Sequence, residues 1–264
     1  MTAASAWRYL WADLHVHTVL SPCAEVEMIP PLIVRRAREL GLDLIGITDH
    51  NSAQNVQAVI DAASATGLTV LPGMEVQSRE EVHLVCLFDQ VAQVLEWQEQ
   101  VTAALPDLKN DEEFFGAQFV VDATGEYIRT EDRLLSTSTS LSVEQVVAGA
   151  RALGGMVLAA HVDRPSYSLI ANLGWVPPGL EIAGLELSRL ADPVEVAQRL
   201  PQTAGFGLVV SGDAHRLEEM TARTMFKVQC PQVRELAIAL AGQDGRRVEI
   251  QEPLQGGNSW SKRV

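Results

Sequence analysis

Long hydrophobic runs are missing from this chain of 264 residues. The longest, such as Met156–Ala160 and Gly207–Val210, fall far short of the ~20 residues that cross a bilayer, so no membrane segment is expected. The amino terminus, Met1 to Trp11, lacks a basic start followed by an apolar run; without a secretory signal a cytoplasmic location is expected. Cysteine is scarce: three residues, at 23, 86 and 230, with no paired spacing, which argues against a disulfide framework. Cys86 lies in the apolar run Leu84–Phe88 and reads as a buried thiol. Cys23, in Leu20-Ser21-Pro22-Cys23, lies just after a pair of histidines, where a thiolate is a candidate soft metal ligand. Basic charge is also short, 20 Lys and Arg against 34 Asp and Glu, net −14. Such a surface repels a polyanion, so extended duplex nucleic acid is not expected as a partner. Small anionic substrates stay open, because bound divalent ions reverse the local sign within a cleft.

What the chain does have is histidine in a narrow set of places. All six sit in short segments that read as strand ends: Asp13-Leu14-His15-Val16-His17, Thr48-Asp49-His50, Val82-His83-Leu84, Ala160-His161-Val162 and Asp213-Ala214-His215, joined by Glu75 in Gly73-Met74-Glu75. Residues i and i+2 of a strand share a face, so His15 with His17, and Asp213 with His215, can each aim two ligand atoms into one cavity. A single histidine on an apolar strand is more often a packed residue than a ligand. Six placed for packing would also be scattered over helices, and here they are not. Imidazole mixed with carboxylate suits zinc, manganese or iron better than calcium or magnesium, and there are more candidate ligands than one ion can use.

The 47% hydrophobic composition supplies a sizeable core. Strands are expected over Trp11–His17, Leu42–Thr48, Thr69–Val76, Val82–Phe88, Met156–His161, Ile182–Leu187, Leu208–Ser211, Phe226–Val228 and Val248–Ile250. Helices are expected over Pro31–Leu40, opened by prolines and stopped by Gly41, Ala53–Thr66, Val91–Leu105 and Val143–Leu153, the last with Ser142 as N-cap and Gln145 as its third-position partner. Strand and helix alternate, which implies a parallel sheet or barrel, whose strand carboxyl ends carry chemistry. Between 106 and 139 the rhythm breaks into a charge cluster and a hairpin. The expected organisation is therefore one unit made of 8–105 and 140–250, an insertion at 106–139 and a tail at 251–264.

In this order the segments resemble the PHP domain, the polymerase-and-histidinol-phosphatase family of metal-dependent phosphoesterases; Asp13-Leu-His15-Val-His17, Thr48-Asp49-His50, Glu75, His83, His161 and Asp213-Ala-His215 carry the resemblance. It implies an α/β fold, a distorted (βα)7 TIM-like barrel, with the 106–139 hairpin segment inserted. It also implies two or three divalent metal ions (Zn, Mn or Fe). By position, His15, His17, Glu75 and Asp213 would hold the first, Glu75 as a bridge with His83 and His161 the second, and His50 with His215 the third. The family usually places another histidine or aspartate in the loop after the HxH pair; here Cys23 stands in that region.

Such a site implies a phosphoesterase acting on a small phosphorylated substrate, a mono- or diester such as a nucleotide, sugar phosphate or short oligonucleotide, with a metal-bridging hydroxide as nucleophile. Glu75 and Asp213 are the carboxylates expected at the chemistry. Asp49 reads either as a group orienting a histidine or as a helix N-cap. Arg164, in His-Val-Asp-Arg-Pro, reads either as a phosphate clamp or as half of a surface ion pair with Asp163 or another acid. Alternative functions are an amidohydrolase-type C–N hydrolase and a metal-binding regulatory module without turnover. Oligomeric state is left open.

Overall fold

The computed structural model describes residues 6–252; most of the expected 251–264 tail lies outside them. The chain runs β1 (Arg8–Val16), α1 (Pro30–Glu39), β2 (Leu44–Ile47), α2 (Val56–Ala63), β3 (Thr69–Gln77), β4 (His83–Leu87), α3 (Val91–Ala104), α4 (Glu112–Phe115), β5 (Phe119–Val121), β6 (Tyr127–Thr130), α5 (Val143–Ala152), β7 (Met156–Ala159), α6 (Leu169–Leu173), β8 (Gly184–Leu187), α7 (Pro193–Arg199), β9 (Leu208–Val210), β10 (Thr224–Val228), α8 (Val233–Leu240) and β11 (Arg247–Ile250). Local chemistry accounts for the elements. In α1 the prolines occupy the first turn, where a missing N–H costs nothing, and Pro30, Ile33, Val34 and Ala37 bury one face at helical spacing. Helix α5 opens with the full capping box, Gln145 N donating to Ser142 Oγ and Gln145 Oε1 accepting from Ser142 N.

Nine strands form one sheet in the order β11-β10-β1-β2-β3-β4-β7-β8-β9. The sheet curls until its ends meet. Ala214, just past β9, forms a parallel bridge with Val16 of β1, and His17 N donates to Ala214 O while Ala214 N donates to His15 O. The strands β1, β2, β3, β4, β7, β8 and β9 thus make a nearly closed ring, with the antiparallel β10–β11 pair added outside β1. One core layer draws Leu14, Leu44, Leu71, Leu87, Leu158 and Val209 from around the ring and is joined by Leu236 and Leu240 of α8. A second layer lies between the strands and the outer helices, with Ile45 and Ile47 meeting Ile33, Val56 and Val59.

Within the seven-strand ring, the strand–helix alternation breaks at one place. Between β3 and β4 the chain turns at 78–82 without a helix, Ser78 N donating to Val82 O, and β4 runs antiparallel to both β3 and β7. His83 is therefore the first residue of its strand rather than the last. Because β4 is inverted, its amino end lies level with the carboxyl ends of its neighbours. A second irregularity sits in β1, where the register against β2 shifts between Asp13 and Val16. Leu14 packs in the inner layer and Val16 in the outer one, which a regular strand would not allow two residues apart; the bulge turns the HxH segment at the mouth.

The hairpin within 106–139 is β5 paired antiparallel with β6. It docks beside the loops after β1 and β2: Phe119 N donates to Val19 O, Asn55 Nδ2 to Phe119 O, and Asn51 Nδ2 to the carbonyls of Leu135 and Thr137. No helix of the described residues is long and apolar enough to cross a membrane.

Candidate metal centre

Ring closure brings all six histidines to one end of the barrel. His15 and His17 leave the end of β1, with Nε2 atoms 3.1 Å apart. Asp213 follows β9 and puts Oδ1 3.0 Å from His17 Nε2 and 3.2 Å from His15 Nε2. The His215 ring stacks on His17, with centroids 4.0 Å apart. Glu75, near the end of β3, stands in the middle: its Oε1 lies 2.9 Å from His83 Nδ1, 3.2 Å from His15 Nε2 and 3.3 Å from His161 Nε2, and its Oε2 lies 2.9 Å from His50 Nδ1. Glu75 is 1% exposed.

Protons alone do not satisfy this packing of nitrogen and oxygen. One carboxylate oxygen has two lone pairs in its plane, yet Glu75 Oε1 meets three imidazole nitrogens. His83 Nε2 and His161 Nδ1 are buried without a hydrogen bond. Ligand atoms held about 2.0–2.2 Å from one cation stand roughly 3.0–3.5 Å from each other, the spacing seen among His15, His17, Glu75 and Asp213. Three groups can hold a cation: His15, His17, Glu75 and Asp213; His50, Glu75 and His83; and His17, His50 and His215. His161 adds its Nε2 beside Glu75. The residues present suit a transition-metal site.

The charges tell the same story. Burial would raise the Glu75 carboxyl, but the charges of His83, His15 and His50 hold it well below the usual range. Asp213 is likewise kept low against burial by His15 and by its bond to His17. Burial and the charge of His215 push His17 well below the ordinary histidine value, so that ring is neutral. Burial raises the Cys23 thiol, and the charge of His50 with hydrogen bonds to His215 and His50 overcomes it, bringing the group to about 6. Cys23 is exposed on its loop and faces the pair His50 and His215.

Carboxylates outside the cluster hold it in place. Asp49 is fully buried and points away from the histidines: it accepts from Thr18 N at 2.7 Å, Thr18 Oγ1 at 2.8 Å and Ser21 Oγ at 2.7 Å. Ser21 Oγ in turn lies 2.9 Å from His17 Nδ1. Asp49 therefore braces a histidine through a serine, and it caps no helix; Asn55 stands at the start of α2. Asp13 accepts from Gly212 N and Thr221 N, both at 2.8 Å, tying β1 to the loop that carries Asp213. Arg164 does not pair with Asp163, which accepts from Ser188 N and Oγ; its guanidinium bonds Asp213 Oδ2 at 2.5 Å and Ser188 Oγ at 3.3 Å. It lines a cavity of about 160 Å³ with His50, Glu75, His83, His161, Ser166, Tyr167, Asp213 and His215. The arginines of the hairpin segment point elsewhere, Arg129 to Gln54 and Glu131 and Arg133 to Thr102 O.

Glu186 escaped the reading of the sequence. It is 1% exposed in β8 and lies 2.9 Å from His15 Nδ1, so it orients that ring, and it also accepts from His161 N at 3.2 Å. A signal was present: it is the one charged residue in the strand Gly184-Leu185-Glu186-Leu187, where an unpaired carboxylate would be too costly to bury.

A family model for the PHP domain matches residues 13–160. Over 85 residues, 30% of this chain, the sequence is 32% identical to the 5'-3' exoribonuclease Rnm of Salmonella typhimurium, and it spans 28% of that enzyme's length. The structure superposes on the lesion-specific endonuclease PfuEndoQ of Pyrococcus furiosus with a TM-score of 0.68 at 21% identity, over 91% of this chain and 58% of the other. A structure of endonuclease Q in complex with a 27-mer duplex substrate, carrying an abasic lesion at the active site, gives a TM-score of 0.65 at 20% identity, over 91% of this chain and 58% of that one. These likenesses overturn the expectation of a small phosphorylated substrate with extended nucleic acid excluded. Net charge is a sum over the whole surface, whereas the sign at a cleft is set locally by the few charges that line it and by any cation held there. The ring of seven strands, the histidines gathered at its mouth and the match over residues 13–160 agree, and the chain belongs to the PHP domain family.

Proposed function

We propose that this chain is a metal-dependent phosphodiesterase that cleaves nucleic acid at the cluster centred on Glu75. One observation carries the reading: a single buried carboxylate has four imidazole nitrogens, from His15, His50, His83 and His161, within 3.3 Å, the surroundings of a group that bridges cations. Membership of the PHP family supports metal-dependent phosphoester hydrolysis, and the exoribonuclease and endonuclease likenesses support a nucleic-acid substrate. Two or three ions of zinc, manganese or iron suit the donor set. His15, His17, Glu75 and Asp213 would hold one, Glu75, His83 and His161 a second, and His50 with His215 a third, with Cys23 beside them. Bound, these ions supply Lewis acidity toward a phosphate and lower the pKa of water toward ~7.

The chain's own groups do the rest. Arg164, anchored by Asp213 and Ser188, presents a guanidinium to the cavity and can hold a phosphate oxygen beside Asp213. Glu186 and the Asp49–Ser21 relay fix the rings of His15 and His17, and Asp13 ties β1 to the loop of Asp213, before substrate arrives, so little reorganisation is left for the reaction. We take 8–105 and 140–250 as the catalytic unit and 106–139 as its insertion.

The test is end-labelled RNA and DNA oligonucleotides, single-stranded and duplex, incubated with metal-reconstituted protein and with a chelator control. Metal-dependent cleavage is expected, and the product ladder separates internal from terminal cuts. No cleavage of any oligonucleotide by protein with a verified metal content overturns the reading.

A further inference from the structure

Beside the cluster stands one aromatic ring for which the chemistry so far has no use. Tyr167 lies six residues after His161, and its ring stacks on His83 with centroids 4.9 Å apart and planes 29° apart. Its backbone is held there as well: the Tyr167 carbonyl accepts from His83 N at 3.0 Å, and its φ is 56°, in the left-handed region that non-glycine residues seldom occupy. The loop around it is braced, since Ser168 Oγ donates to Arg164 O at 3.0 Å and accepts from Ala171 N at 3.1 Å. Tyr167 and Arg164 are therefore set in a fixed relation to each other.

A ring needed only for packing would be covered. Tyr167 is 46% exposed, while the His83 beneath it is 8% exposed, and Tyr167 lines the same cavity as Glu75, His161, Arg164 and Asp213. Among the described residues Arg164 is the only Lys or Arg lining that cavity, on a protein of net charge −14. A basic track along the strand is thus not what grips a substrate here. Stacking is an alternative source of affinity, because every base has an apolar face whatever its sequence.

We propose that Tyr167 is a specificity-determining residue, a platform on which the base flanking the scissile phosphate stacks. This rests on the phosphodiesterase reading above and deepens it: the favoured substrate is a strand with an unpaired base available at the mouth. Its backbone strain and its fixed position over His83 serve to hold the platform ready.

The experiment compares kcat/KM of metal-reconstituted full chain on two short uniform oligomers, one bearing bases and one abasic but otherwise identical, each in ribose and deoxyribose form. Wild type is expected to favour the base-bearing oligomer roughly tenfold or more. Tyr167→Trp should keep the preference, whereas Tyr167→Ala and Tyr167→Leu should bring the ratio toward one, mainly through KM, with metal content unchanged. An undiminished ratio in both Tyr167→Ala and Tyr167→Leu overturns the proposal. So does loss of metal with an equal fall on both oligomers, which would make the ring a mere support for His83. Wild type that cleaves neither oligomer refutes the phosphodiesterase reading, and the platform with it.

Discussion

Glu75→Gln keeps the shape of the central side chain and removes its charge, which separates a bridging ligand from a packed carboxylate. With four imidazoles around it, the amide should lower both metal content and turnover further than Glu75→Asp, which keeps the charge; elemental analysis beside a rate assay reads both. Near-normal metal and activity in Glu75→Gln would sink the bridge. Glu186→Gln tests a group one step further out. Losing the carboxylate behind His15 Nδ1 should weaken metal binding by about 10–100-fold, measured by chelator competition, while the fold survives. Cys23 offers a third probe. A ligating thiolate is shielded while metal is present, so a thiol reagent should modify Cys23 faster after metal removal, and Cys23→Ser should lose one ion while the others stay. Equal rates in both states, with an unchanged metal count in Cys23→Ser, would leave Cys23 as an ordinary loop residue. Most of these residues were legible because their types are rare and their spacing regular. Glu186 was not: its one local mark, a lone charge in an apolar strand, does not say what it pairs with, and only the barrel carries it to His15 from a position 171 residues away.

Among the elements, the helices and parallel strands follow from local pattern, while the departures have tertiary causes. Strand β4 has the apolar run of any buried strand, and nothing in such a run gives its direction; the short turn at 78–82 leaves no room for a crossover helix, so it must run antiparallel. The bulge in β1 is equally silent in sequence, although it turns the HxH segment. Packing between α3 and α5 gives a direct test. A Cβ built on Gly149 would stand 2.4 Å from Trp97 Cζ3, and Trp97 is 1% exposed, so the indole cannot move aside. Gly149→Ala improves helix propensity yet should destabilise the protein by about 1–3 kcal/mol through overpacking. Urea unfolding reads it, and a gain in stability would mean that the two helices yield.

At the scale of the whole molecule, the mouth of the barrel concentrates buried carboxylates and imidazoles that cations would hold together. Ions that bind only the folded chain stabilise it by mass action, by about 2.7 kcal/mol at a hundred times Kd. Chelation should therefore lower the Tm, and restoring zinc, manganese or iron should recover it in a concentration-dependent way. A Tm indifferent to chelator, with less than one ion per chain by elemental analysis, would leave the cluster without a metal. The acidic surface adds a consequence for the nucleic-acid reading. With few basic residues to release counterions, the salt dependence of binding should be shallow compared with a protein that grips a duplex along a basic face.

The sequence by itself determined the fold class, the element order and the identity of the residues that cluster at the mouth, because buried strands, helix caps and a rare titratable residue each leave a local mark. Only the tertiary structure decided that Glu186 backs His15, that Asp49 reaches His17 through Ser21, and that Tyr167 lies open over His83. Those are contacts between segments far apart in the chain, or rotations set by how the ring closes, and no periodicity within a segment records them. Net charge pointed away from nucleic acid for the same reason: it sums over the whole surface, while the local field at a cleft depends on where the fold puts a few charges.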